Sequence, residues 1–111
     1  MHKIFKVLGC ETRLRIVKML QIRECCVCEL SGVLGLSNST ISEHLTKLKK
    51  NEIIKEKKKS YWSYYSINKK FFKNEAMDKL FKVIKNLNDK IYEMDQTKLK
   101  QNTFKCDFKN K

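Results

Sequence analysis

Apolar residues recur at helical spacing through residues 3–22: Ile4 with Leu8, then Leu14 with Val17 and the pair Met19–Leu20. Gly9 falls between the two groups and predicts a joint between two helices. A short run over 27–34 keeps the same period through Val27, Leu30, Val33 and Leu34, and Gly35-Leu36-Ser37 reads as a turn. Ser37 can cap a following helix over 38–50, where Ile41, Leu45 and Leu48 form one stripe. Its other faces carry an amide, hydroxyls and lysines, which suits a helix that packs on one side and reads a groove with the other. Residues 53–56 and 61–67 predict strands, with Lys57-Lys58-Lys59-Ser60 as the turn between them. A lysine-tipped hairpin directly after such a helix is a wing.

The last periodic segment runs over 74–98 and predicts one long helix. Met77, Leu80, Ile84, Leu87, Ile91 and Met94 alternate in steps of three and four, the seam of a two-helix contact. Phe81 and Val83 widen the apolar face at its start, so packing inside the monomer competes with a dimer interface, and the narrow seam favours the interface. The pattern is mainly α with a small β-hairpin wing (α+β), dimeric through its terminal helices. Residues 1–98 are expected to form one domain that dimerises and presents the groove-reading helix and wing, and the polar, lysine-rich residues 99–111 a loose tail.

Composition narrows the function. A chain of 111 residues suits one modest domain, for which partner burial is a natural support. Lys and Arg total 25 against 12 acids, a formal net charge of +13 that favours a polyanion, either nucleic acid or an anionic membrane surface. No segment approaches the roughly 18 apolar residues of a membrane span. The first twenty residues carry Arg and Glu where a signal peptide would be apolar, so the expected location is cytoplasmic. The five cysteines, at 10, 25, 26, 28 and 106, are a poor disulfide framework, because three crowd into four positions and the count is odd. In a reducing compartment such a cluster points to metal or redox chemistry. An enzyme is not expected: there is no Cys-x-x-Cys beside a βαβ pattern, no Gly-rich phosphate loop, and no convincing Cys–His pair.

The segments FKVLGCETRLRIVKML, ECCVCEL, LSNSTISEHLTKLKKNEII and YWSYYSI, in that order, resemble the ArsR/SmtB family of metal-responsive repressors. The resemblance covers nearly all of residues 4–95 and implies a winged helix-turn-helix that binds double-stranded operator DNA as a homodimer, with no membrane partner and no organic cofactor. The family's metal box, E-x-C-V-C-[DE]-L, stands here as Glu24 to Leu30, and Ser-x-His-Leu of its recognition helix as Ser42 to Leu45. This form of the box resembles the subgroup answering As(III) and Sb(III), and more distantly those answering cadmium, lead or bismuth. Arsenic-responsive relatives often place a third cysteine where this chain has Ser31. The zinc and nickel subgroup places His, Asp and Glu pairs on the last helix, but residues 77–98 contain no His.

The chemistry fits soft ions, which prefer thiolate sulfur to carboxylate. Residues two apart on a helix project about 200° from each other, whereas in an extended segment they share a face. Cys26 and Cys28 can therefore hold one ion only where the backbone is extended or distorted, and ligation is expected to stabilise an unwound start of the helix that follows. Cys10, Cys25 and Cys106 are candidates for a third sulfur, from the same subunit or its partner; Cys25 and Cys10 serve equally well as buried small hydrophobes. Lys47, Lys50, Lys57, Lys58 and Lys59 are expected to hold phosphates, and Asn38, Ser39, Thr40 and Ser42 to meet the backbone or base edges. Glu43 either accepts from a cytosine amine or points away. His44 shares the buried side with Ile41 and Leu48, which makes it structural. Tyr61, Trp62, Tyr64 and Tyr65 pack under the wing in preference to stacking on unpaired bases. A two-fold protein implies an inverted-repeat operator. The same cysteines would also serve a repressor that senses oxidants or reactive sulfur; a thiol enzyme or metal carrier is the remote alternative.

Overall fold

The computed structural model describes residues 2–101. Two helices, α1 (His2–Leu8) and α2 (Glu11–Ile22), meet at Gly9. A Cβ there would lie 3.0 Å from the Phe5 carbonyl oxygen, so a side chain at this joint would crowd the end of α1. A two-residue strand, β1 (Cys25–Cys26), leads directly into α3 (Val27–Leu34). Gly35 ends α3 in the left-handed region (φ 71°), and its N–H returns to the Ser31 carbonyl. The helix α4 (Asn38–Lys50) is capped by Ser37, whose Oγ accepts from the Thr40 N–H at 3.2 Å. Ile41, Leu45 and Leu48 are its buried stripe and join Ile16, Val17, Leu30, Val33 and Ile53 in the core.

Strands β2 (Ile54–Lys59) and β3 (Trp62–Ile67) form the wing hairpin, and β3 also pairs with β1, giving an antiparallel sheet of order β1-β3-β2. The first hairpin strand extends further than expected from the sequence, and the second begins one residue later. Lys57, Lys58 and Lys59 belong to β2, with Lys59 opposite Trp62, and the turn is the two residues Ser60 and Tyr61. Ser60 sits at φ 60°, the conformation that so short a hairpin turn requires. Charged side chains on an outward-facing edge strand give no periodic signal, which hides the strand among the lysines.

The expected long helix is two helices. Here α5 (Glu75–Asn86) stops at Leu87 (ψ 126°), and α6 (Lys90–Lys100) starts afresh from Asp89, whose carboxylate caps it by accepting from the Lys90 N–H at 2.7 Å. Lys18 explains why the chain can stop there. Its buried Nζ donates to the Ile84 and Lys85 carbonyls at 2.9 and 3.0 Å, satisfying the orphan end of α5, while burial pushes its pKa down. The returning α6 packs on α2 through a two-pronged pair, Arg15 Nε and Nη2 to the buried Asp95 carboxylate at 2.8 and 2.9 Å. The seam therefore divides. Met77 and Ile84 are buried in the chain's own core, Leu80 and Ile91 are half-buried, and Leu87 and Met94 stand exposed. Leu99, expected in a tail, is a buried residue of α6; the remainder of that segment from residue 102 lies outside the described residues.

Candidate functional site

The box cysteines lie where strand becomes helix. Cys26 has extended backbone (φ −94°, ψ 170°) and caps α3, whereas Cys28 is already in its first turn. That change of backbone brings two residues that a continuous helix would separate onto one side, with their Sγ atoms 3.4 Å apart. The extended backbone at Cys26 is the arrangement that the two-residue spacing requires, and in it the sulfurs meet with α3 intact from Val27 onward. Glu29 locks the junction: its Oε1 accepts from the Cys26 N–H at 3.0 Å, while Oε2 pairs with Arg23 at 3.0 Å. Cys26 is buried, and burial pushes its thiol pKa up. Cys26 keeps its thiol, whereas Cys28 is engaged in a disulfide that does not involve it, so ligand chemistry at the pair requires reduction at Cys28.

The other cysteines fall elsewhere. Alternation along β1 turns Cys25 to the opposite side from Cys26, into the core, where it is 0% exposed. Burial first, and the Glu29 charge second, push its thiol up to about 12, so at neutral pH it is a protonated small hydrophobe. Cys10 occupies the cap position of α2, half-buried and outside the Cys26–Cys28 pocket. Cys106 lies outside the described residues. Among the described residues no three His, Cys, Asp or Glu side chains are gathered to hold an ion. What surrounds the two sulfurs is a cavity of about 170 Å³ walled by Val27, Asn38, Trp62 and Ser63. Asn38 and Ser63 offer oxygen there. No sequence pattern pointed to Trp62 or Ser63, because their place beside the cysteines depends on the long-range pairing of Cys26 with Tyr64.

The cationic side chains expected to hold phosphates lie on α4 and the wing. Asn38, Ser39 and Ser42 are exposed at the start of α4, with Thr40 half-buried, and Lys47 and Lys50 are exposed further along it. Ser37 Oγ joins Thr40 Oγ1 at 2.9 Å and Ser39 Oγ at 3.2 Å, so these hydroxyls also organise the cap. Lys57 and Lys58 are exposed on β2. Lys59 pairs with Glu24 at 2.8 Å and lies 5.0 Å over the Tyr64 ring. Glu43 is exposed. His44 is half-buried with Nδ1 3.2 Å from Arg13 Nη1; burial, then the Arg13 charge, lower its pKa, as befits a packed neutral ring. Trp62, Tyr64 and Tyr65 are part of the sheet, but Tyr61 at the turn is 93% exposed and does not pack under the wing.

The family model for bacterial regulatory proteins of the arsR family matches residues 10–56, from the cap of α2 into β2. The arsenical resistance operon repressor of Escherichia coli K12 is 37% identical over 67 residues, covering 60% of this chain and 57% of that protein. An HTH-type transcriptional regulator of Methanocaldococcus jannaschii is 42% identical over 66 residues, covering 59% of this chain and 74% of the relative. Among solved structures, the homodimeric winged helix-turn-helix DNA-binding domain of a Mycobacterium bovis protein matches with a TM-score of 0.63 at 24% identity, over 75% of this chain and 72% of that one. The matched region spans little more than half of the Escherichia coli repressor.

Proposed function

The chain belongs to the arsR family, whose members are transcriptional regulators and not enzymes, and from that membership we propose that it represses transcription as a homodimer on an inverted-repeat operator and is released when trivalent arsenic or antimony binds Cys26 and Cys28. The observation that carries the reading is the 3.4 Å approach of the two sulfurs in a pocket that also touches the first residue of α4 and the wing. Arsenous acid would condense with the reduced pair: each S–H proton leaves with one arsenic hydroxyl as water, two As–S bonds form, and one hydroxyl remains. No electrons move. A divalent soft ion would instead displace the two thiol protons into solution, so its affinity would rise with pH. No helix among the described residues is long and apolar enough to cross a membrane.

The 3.4 Å approach of the two sulfurs also supports a second reading, in which the same cysteines sense oxidant. Two thiols then give two electrons and two protons to a peroxide, which leaves as two waters. Titrating the reduced protein–operator complex separately with arsenite and with hydrogen peroxide distinguishes the two. Release by arsenite, reversed by a chelating dithiol, is expected; release by peroxide alone would replace the arsenic reading.

DNA contact is expected to be mainly electrostatic at the wing. Each phosphate neutralised by a lysine contributes about 0.9 to the slope of log affinity against log salt. Lys57→Ala and Lys58→Ala should each lower that slope by roughly this amount. Lys59→Ala should lower it less, because Glu24 already offsets its charge. Equal slopes in the parent and the Lys57 and Lys58 variants would remove the wing from the DNA interface.

A further inference from the structure

We propose that the Cys26–Cys28 pocket is closed by the DNA-reading elements themselves, and that Trp62 is the positioning residue through which occupancy acts on the wing. This rests on the reading of the pocket as the inducer site. Three observations converge on it. First, the cavity of about 170 Å³ is bounded by both sulfurs, by Asn38 at the start of α4, and by Trp62 and Ser63 on β3. An occupant held by the sulfurs shares its walls with both elements that meet DNA, so no relay through the core is needed. Second, the box and the wing belong to one sheet: Cys26 pairs with Tyr64, two residues along β3 from Trp62, and Trp62 pairs with Lys59 of β2. Third, Glu24 at the head of the box holds Lys59 at 2.8 Å, a second tie between the same two segments.

The physical consequence is local. A packed wall does not yield continuously to an added atom; it moves to another arrangement or refuses the ligand. Here the indole is the large, rigid part of the wall, whereas Asn38 and Ser63 are small and polar. An occupant held by the two sulfurs abuts the indole, and a shift of the indole moves Lys57–Lys59 relative to the start of α4. Linkage then requires that operator DNA, which favours the undisplaced wall, weaken arsenite binding by the same factor that arsenite weakens DNA binding.

Trp62 is the sole tryptophan of the chain, so indole emission reports this wall and nothing else. The test titrates the reduced, full-length protein with arsenite, using a phosphine reductant that does not compete as a dithiol would. Arsenic–thiolate absorption and tryptophan emission are followed together. They are expected to change with one midpoint, and both changes should vanish in Cys26→Ser. Absorption that develops while emission stays flat overturns the role of Trp62 and leaves the inducer site standing. If neither changes, the inducer site itself is wrong and the inference falls with it. A second arm compares operator affinity with and without arsenite: that ratio should shrink at least tenfold in Trp62→Ala and be retained in Trp62→Phe. An undiminished ratio in a folded Trp62→Ala variant overturns the proposal. Where that variant does not fold, the emission titration of the parent decides.

Discussion

Cys26→Ser and Cys28→Ser should each give a repressor that binds its operator as the parent does and stays bound when arsenite is added. Serine retains the size of the side chain and removes the soft donor, and a hydroxyl has little affinity for a thiophilic ion. At Cys26 the exchange is also benign for the fold, because this residue caps α3 and serine is among the best residues for that position. The expected effect is large. Moving a population from almost wholly bound to almost wholly released needs the ligand to favour one state by about 5.5 kcal/mol, roughly a factor of 10⁴. A single remaining sulfur would forfeit most of it. Anisotropy of a labelled operator, read across an arsenite titration, gives the result directly: release in the parent and none in either variant. Full release in both variants would end the thiol switch.

The second large effect concerns assembly. Leu87 and Met94, 37% and 47% exposed, are the seam residues that one chain leaves uncovered. Replacing both with glutamate should produce folded monomers, because neither side chain belongs to the monomer's core. A dimer reading two half-sites makes its second contact intramolecularly, an advantage of about 10²- to 10⁴-fold. Operator affinity should fall by that order, and sedimentation should show a single species at the monomer mass. Charged substitutions at Met77 or Ile84 would not test the same point, since both are buried within one chain and would unfold it. A variant that remains dimeric places the interface elsewhere, with Phe5 of α1, Ile22 of α2 and Val83 of α5 among the other exposed apolar side chains.

The part of the fold legible in the sequence is the part fixed by local signals. The bounds of α4 follow from Ser37 as cap, the stripe Ile41-Leu45-Leu48 and the lysines of its last turn. The joint at Gly9 and the left-handed stop at Gly35 are likewise local. The break after Asn86 was concealed because two short apolar stripes, one on each helix, happen to continue in phase as three-four steps. Its signature lay in Asn86-Leu87-Asn88-Asp89, rich in residues that cap and turn, and in Lys18 some sixty-six residues away, which satisfies the carbonyls the break exposes. Likewise, periodicity located the two cysteines and the need for a bent backbone, but not how it arises. A two-residue strand has no period of its own; β1 exists because Tyr64 and Tyr65 lie ready to pair with it. The walls of the thiol pocket follow from that pairing, so Trp62 and Ser63 could not be found by reading along the chain.

The thiol switch requires that one arsenic atom be held by the sulfurs of Cys26 and Cys28. X-ray absorption at the arsenic edge, on the reduced and arsenite-loaded protein in solution, measures that most directly. The prediction is a first shell containing sulfur, with one sulfur fewer in Cys26→Ser and one fewer in Cys28→Ser. A shell of oxygen alone, or a sulfur count that neither substitution alters, would contradict it.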